Sequence, residues 1–458
     1  MVDRGGVREL QYPTQRTTRG SGLLPALRLG VLLLLLAVPF HSVLILPGVS
    51  VVKAIGLILG PLSLLWLVTQ LGAPQGAWVM PSRNVGLILS FGMLVVSIVL
   101  SSFYAPISPA FLTSLMSIVL DVAMAVIICT VISSEVLLGR AYACLAIGGM
   151  VFGVLVILQF VAPQEVARIL GQRIFVQTIG VEIETRATGP FRDPNYGALA
   201  LVVLTCLSLY LGLTCRKRWQ RVLLSLGVAV QVVAVLLTFS RAGYITLAFV
   251  GSAVLWRERH RLRLWKAALA VMAGLVLLAT FGGGVLDAAT SRIGTISEFA
   301  RALAENPAQA RQVDLSLWYR FHLFQAGIEM AMDRFPLGVG WENFRYRVTQ
   351  YSDEVREQGA HNTYVAVAAE LGLLGLLALV WLLWALWKST SHLCKIAQGR
   401  FGLLARGTRY GLLAVLIGGL FLTVLHEAVV WALIGLIMAQ NRAISRATKV
   451  SRTGTPVG

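Results

Sequence analysis

Long blocks of apolar residues, separated by short polar stretches, run along most of the chain. Each block approaches the roughly 20 residues that a helix needs to cross a bilayer. The pattern predicts spans at about 29–46, 51–72, 85–103, 107–132, 141–162, 194–214, 222–239, 241–256, 267–286 and 362–387. The block 410–440 is too long for one helix. His426-Glu427 interrupts it, so two short spans are expected there, making about twelve in all. The first span follows a basic tail, as a signal peptide would. No small-residue cleavage site follows it, so it reads as a retained anchor.

Composition agrees with this reading. Of 458 residues, 57% are hydrophobic and 13% charged, and the mean hydropathy is +0.77. An ordinary soluble protein carries roughly 25% charged residues. A soluble enzyme, a disordered chain and a disulfide-stapled secreted domain are excluded. The net charge of +18 suggests nucleic-acid affinity until the charges are mapped. With the tail bearing Arg4, Arg8, Arg16 and Arg19 in the cytoplasm, alternation puts Arg216-Lys217-Arg218, Arg257 to Lys266, Lys388 to Arg409 and Arg442 to Arg452 on the same side. That is the positive-inside pattern, with both termini cytoplasmic and no nucleic-acid partner expected. Cys129, Cys144, Cys206, Cys215 and Cys394 form no C-x-x-C pair and read as packing residues.

The same parity sends two segments outside, Pro163 to Asp193 and Asp287 to His361. The second has 75 residues, with eight Arg, ten acidic residues and no Lys, and is too rich in aromatics for a plain linker. Within it, Leu315 to Arg334 reads as an amphipathic helix stopped by Pro336 and the Gly338/Gly340 pair.

The candidate chemistry lies on this outer side. Arg186 and Arg192 flank the Gly189-Pro190 turn, and Asp193-Pro194-Asn195 caps the next helix. Such arginines either anchor to lipid phosphates or grip a diphosphate, for which the planar guanidinium fork is suited. Arg241, in Ser240-Arg241-Ala242-Gly243, sits between two spans with almost no loop. A charge there is costly unless it snorkels or meets water, a partner or an anionic ligand. Arg320 on the loop helix is, taken alone, an ordinary solvated residue. His361 precedes Asn362-Thr363-Tyr364 at the start of the tenth span, with Glu370 and Gly372 deeper in it. Asn362 or Thr363 reads as a helix cap. His361 is either interfacial or a proton acceptor near neutral pH. Glu370, nine residues further on and on the opposite side of the helix, reads as a partner within the bundle. Asp121 and the pair His426-Glu427 read as helix–helix contacts.

The order R-x-x-G-P-F-x-x-P-N, then S-R-A-G, then R-F-P-L-G-V-G-x-x-x-F, then H-N-T-Y…E-L-G resembles the O-antigen ligase and O-antigen polymerase family over about residues 185–385. The resemblance implies an all-α polytopic membrane protein of the bacterial inner membrane, with its active site on the outer, periplasmic face. Flanking that core, residues 1–184 hold the first five spans and 386–458 the last two and the tail. It implies an enzyme, a metal-independent and cofactor-free glycosyltransferase of O-antigen, lipopolysaccharide or exopolysaccharide biosynthesis. The donor would be a glycan on a polyprenyl diphosphate and the acceptor a hydroxyl of lipid A core or of a growing glycan. Carried onto this chain, Arg186, Arg241 and Arg320 would hold the diphosphate and His361 would take the acceptor's proton. Arg192, Asn362, Tyr364 and Glu370 are additional candidates. The other class weighed is a solute transporter using Asp121, Glu370 and Glu427 as coupling groups, which should carry paired broken helices in two related halves. No such symmetry is visible in the sequence.

The sidedness can be checked directly. In a background with the native cysteines replaced, we predict that a cysteine at Ala308 reacts with an impermeant maleimide in intact cells and that one at Gly399 does not. The reverse labelling removes the inside/outside assignment.

Overall fold

A computed structural model describes residues 23–46, 49–71, 81–170, 175–179, 182–259 and 285–453. Its long helices are Leu23–Ala37, Val51–Leu71, Ser82–Tyr104, Phe111–Val131, Glu135–Val161, Pro194–Thr214, Arg218–Leu237, Arg241–Glu258, Val285–Glu305, Leu315–Asp333, Thr363–Ile396, Gly399–Gly418 and Ala428–Thr453. Among the described residues, eight helices are long and apolar enough to cross a membrane. The expected spans fall at least in part on helices, except 267–286, which lies mostly outside the described residues; the first, 29–46, is α-helical only to Ala37 and ends in a strand at Leu44–Leu46. The interruption at His426-Glu427 is real. A 3₁₀ turn at Val424–His426 separates the last two helices.

Helix is not the whole of it. Two short antiparallel hairpins pair Leu44–Leu46 with Val49–Ser50, and Phe175–Ile179 with Glu182–Arg186. The second lies in the segment Pro163 to Asp193, where Val176, Thr178, Ile183 and Thr185 supply the β-branched character that favours a ladder over a helix. A periodicity search tuned to 20-residue spans passes over five-residue strands.

Pro194–Thr214 is the central post. It is buried along nearly its full length, on all sides, as a helix apolar all round must be. It packs against Glu135–Val161, Arg218–Leu237, Arg241–Glu258 and Gly399–Gly418. The bundle has two chemically distinct ends. At one, Arg406 pairs with Glu258 at 2.8 Å, and Arg442 donates to the carbonyls of Cys129 and Thr130. At the other stand the N-terminus of Pro194–Thr214, the turn Thr238–Ser240 and the start of Thr363–Ile396.

At that second end, the loop after the helix Leu315–Asp333 threads into a break in Thr363–Ile396. The backbone leaves helical geometry at Gly372, with φ 58° and ψ −147°. Val339 N donates to Ala369 O and Gly340 N to Glu370 O, each at 2.8 Å, and Leu373 N donates to Pro336 O at 2.8 Å. Glu370 completes the graft, accepting from Phe344 N at 3.0 Å. The break frees backbone groups that a membrane helix cannot leave bare, and the incoming loop satisfies them. A Cβ at Gly338 (φ 80°) would lie 2.6 Å from Glu370 O, and one at Gly372 would lie 2.6 Å from the carbonyl carbon of Leu337. The glycines are there for close backbone approach.

Gly372→Ala therefore should strain both partners. The backbone region is essentially reserved for glycine, costing about 1–3 kcal/mol for another residue, and overpacking adds a similar amount. We predict a clear loss of thermal stability of the purified protein in detergent for Gly372→Ala. Gly92→Ala, where no atom lies within 4 Å of the new methyl, should be near neutral. Equal melting of the two variants contradicts this account of the break.

Candidate functional site

The arginine-lined end is assembled from three separate stretches of chain. The first is the turn Thr188–Phe191. Gln159, from Glu135–Val161, accepts from Thr188 N at 2.8 Å and Gly189 N at 2.7 Å. Phe191 is buried and stacks on Phe152 at 5.1 Å. With the turn fixed, Asp193 caps the next helix, its Oδ1 accepting from Asn195 N at 2.7 Å. Asn195 Oδ1 in turn accepts from Ser240 Oγ at 2.8 Å. Ser240 caps Arg241–Glu258 through Gly243 N at 3.1 Å. Two helix caps are thus joined by one hydrogen bond, and Arg241 is set beside Asn195.

Arg186 lies beneath this junction. It is 5% exposed, with Nε donating to Thr238 O at 2.9 Å and Nη2 reaching Asn195 Oδ1 at 3.5 Å. Its guanidinium is spent on the scaffold. Arg192 is exposed and has no ion-pair partner among the described residues.

The second stretch brings in the loop helix. Asp314 is 2% exposed and grips Arg241 with both oxygens, at 2.7 and 3.1 Å. The same carboxylate caps Leu315–Asp333, accepting from Leu317 N at 2.9 Å. Thr295 also accepts from Arg241 Nη1 at 3.2 Å. One turn and a half along that helix is Arg320. Among the described residues it has no hydrogen bond or ion pair, yet Asp193, Arg241, Tyr196 and Asp314 all lie within electrostatic reach. Burial lowers its pKa; Asp193 opposes the shift and Arg241 adds to it.

The third stretch ends at His361. Its backbone has φ 47°, a left-handed conformation sparsely used outside glycine. Its Nδ1 is buried with no partner among the described residues. Burial and the Arg320 charge push its pKa down to about 4, with Asp193 opposing. The imidazole is therefore neutral at neutral pH. Its neighbours have other duties. Asn362 caps Thr363–Ile396 through Tyr364 N and Val365 N, and its amide donates to Leu420 O at 3.0 Å. Tyr364 OH donates to Leu416 O at 2.8 Å. Both clasp the end of Gly399–Gly418, and Glu370 holds the loop graft.

Arg241, Arg320 and His361 thus share one electrostatic neighbourhood, and Arg186 lies one hydrogen-bonded residue away. Sequence reasoning missed the acidic members. Asp314 was legible as a helix cap in Asp314-Leu315-Ser316-Leu317, but nothing local tied it to a residue 73 positions earlier. It also missed Glu342, held at φ 61°, which accepts from Ser114 Oγ at 2.8 Å and lies 3.3 Å from His426. His41, not His426, is the ion-pair partner of Glu427, at 3.3 Å.

The fold is a polytopic helical bundle with a guanidinium-lined site at one end. Residues 226–380 match the family model described as O-antigen ligase. The matched segment, about a third of the chain, falls within the stretch whose motif order resembles that family. The match takes in Arg241, Arg320 and His361; Arg186 lies before it. No curated protein matches the chain.

The pair Arg241–Asp314 should be strongly coupled. Breaking a buried ion pair by removing one partner costs about 3–5 kcal/mol. We predict that Asp314→Ala and Arg241→Ala each lower stability, and that the double variant loses much less than the sum. Simple additivity in chemical denaturation or thermal melting contradicts the pairing.

Proposed function

We propose that this protein transfers a glycan from a polyprenyl-diphosphate donor to a sugar hydroxyl on the outer face of the bacterial inner membrane. The acceptor is lipid A core or a growing surface glycan. One observation carries the reading. Among the described residues Arg320 is a guanidinium with no hydrogen-bond or ion-pair partner, held beside Arg241 and beside a neutral histidine whose Nδ1 has no partner. Asp314 is committed to Arg241 and to its own helix cap, and Asp193 caps Pro194–Thr214, so the Arg320 fork is left to a further anion, and a diphosphate supplies paired oxygens for it.

The roles follow from position. Arg320 and Arg241 bind the diphosphate, Arg241 using the donors that Asp314 leaves over. Arg186, with its guanidinium turned to Thr238 and Asn195, is a positioning residue under Arg241. In the reaction the acceptor oxygen bonds to the anomeric carbon as the bond from that carbon to the diphosphate oxygen breaks. His361 takes the acceptor's proton, and the diphosphate leaves as an anion stabilised by the guanidiniums. Attack from the side opposite the diphosphate inverts the anomeric centre. The donor's own diphosphate bond supplies the free energy. We place both termini in the cytoplasm and count twelve spans, with the loop 287–361 outside.

A gene deletion should make lipid-linked repeat units accumulate. Lost surface glycan would indicate a ligase and shortened glycan a polymerase; normal glycan with no accumulation contradicts the proposal. In purified protein, His361→Ala should keep donor binding and lose transfer by roughly 10²–10⁴-fold. The pH profile carries a sign. A base works deprotonated, and a pKa of about 4 keeps His361 deprotonated down to that value. The kcat/KM of the wild type should hold as pH falls through 6.5 and drop only on approach to about 4. An acid limb centred near 6.5 that His361→Ala abolishes would mean a solvated, unperturbed imidazole.

A further inference from the structure

A second charged site lies at the opposite end of the bundle. There Ser82–Tyr104 and Thr363–Ile396 enclose a cavity of about 320 Å³, lined among others by Ser82, Arg83, Gly86, Trp381, Trp384 and Lys388. Two of its lining residues are basic and none is acidic. Among the described residues neither Arg83 nor Lys388 has a carboxylate partner. Lys388 Nζ lies 4.4 Å from the centre of the Trp384 ring, and Arg409 stacks likewise on Trp387 at 4.4 Å. Arg83 and Lys395 both act electrostatically on His392. Several cations therefore gather here with no ion-pair partner among the described residues, on the end that the positive-inside pattern assigns to the cytoplasm.

The two helices that line the cavity also present an apolar surface along their length. Val85 and Leu89 on one helix, and Leu377, Val380 and Trp384 on the other, are exposed large hydrophobic side chains. At Gly86, in the cavity lining, no atom lies within 4 Å of the position a Cβ would take. A small soluble anion would use the cations and ignore the apolar surface. A lipid with a charged headgroup uses both, and anionic lipids are the ones that basic pockets between membrane helices attract on the cytoplasmic leaflet. The volume is at the lower end of ligand pockets, about 300–1,000 Å³, which suits a headgroup and not a whole lipid.

We propose that this cavity binds the phosphate headgroup of an anionic phospholipid through Arg83 and Lys388, with an acyl chain lying over Gly86 between the two helices. The inference is independent of the glycan chemistry at the other end.

Native mass spectrometry of the full-length protein, titrated with phosphatidylglycerol, phosphatidylcholine or inorganic phosphate, tests it. The wild type should retain one phosphatidylglycerol at concentrations where phosphatidylcholine is stripped, and phosphate alone should neither bind nor compete. The double variant R83Q/K388Q should lose affinity for phosphatidylglycerol by about tenfold or more. Gly86→Leu keeps both charges but fills the space at Gly86, and should lose the lipid as well; it also serves if the double variant fails to fold. Retention of phosphatidylglycerol by R83Q/K388Q, equal binding of phosphatidylcholine, or displacement by phosphate would each overturn the proposal.

Discussion

Repulsion between Arg241, Arg320 and any proton on His361 is the constraint around which this end of the molecule is built. Left alone, the guanidiniums would swing apart into water. Asp314 prevents that by serving twice, gripping Arg241 with both oxygens and capping the helix that carries Arg320. The loop helix is thereby tied to the start of Arg241–Glu258 by charge. Asp193 plays the complementary part, capping Pro194–Thr214 while lying within electrostatic reach of both Arg320 and His361. Two carboxylates serve two arginines, but only one of the arginines is gripped. The remaining positive charge on Arg320 is the feature that the proposed donor completes.

A second constraint comes from the bilayer, which leaves no backbone polar group unsatisfied without cost. The break at Gly372 would be costly in a lone helix. Here the segment from Pro336 to Gly340 hydrogen-bonds to residues 369–373 across it, and Glu370 holds Phe344 N. His361 lies just before this helix, so the graft that fixes the loop also fixes the relation between Arg320 and His361. Order at the site is inherited from backbone geometry well away from it.

Much of this was legible in the chain. The places of the long apolar helices followed from apolar block length, because membrane thickness sets that length regardless of packing; eight of them, among the described residues, are long and apolar enough to cross. The break at His426-Glu427 followed from charge in an otherwise apolar block. The grouping of Arg241, Arg320 and His361 was suggested by motif order and parity, whereas each residue alone read as an anchor, a solvated charge or a cap. What stayed hidden was pairing. Asp314 and Arg241 are 73 residues apart, His41 and Glu427 are 386 apart, and nothing local marks either pair. Arg186 was read as a phosphate ligand like the others, since exposure is invisible in a sequence; in the fold it is buried against Thr238 and Asn195. Likewise Gly338 read as a helix stop and Gly372 as a residue within the tenth span, and their close contact across the loop graft emerges only in three dimensions.

The central claim is that Arg320, which has no hydrogen-bond or ion-pair partner among the described residues, is held there to receive a diphosphate. Direct binding of an unsubstituted polyprenyl diphosphate to the purified protein, set against the monophosphate, measures this without catalysis. The account predicts that the wild type prefers the diphosphate and that Arg320→Gln weakens it by roughly 10–100-fold, the worth of a hydrogen bond to a charged group, with little change for the monophosphate. Binding that is unchanged in Arg320→Gln, or equal for the two lipids in the wild type, would contradict it.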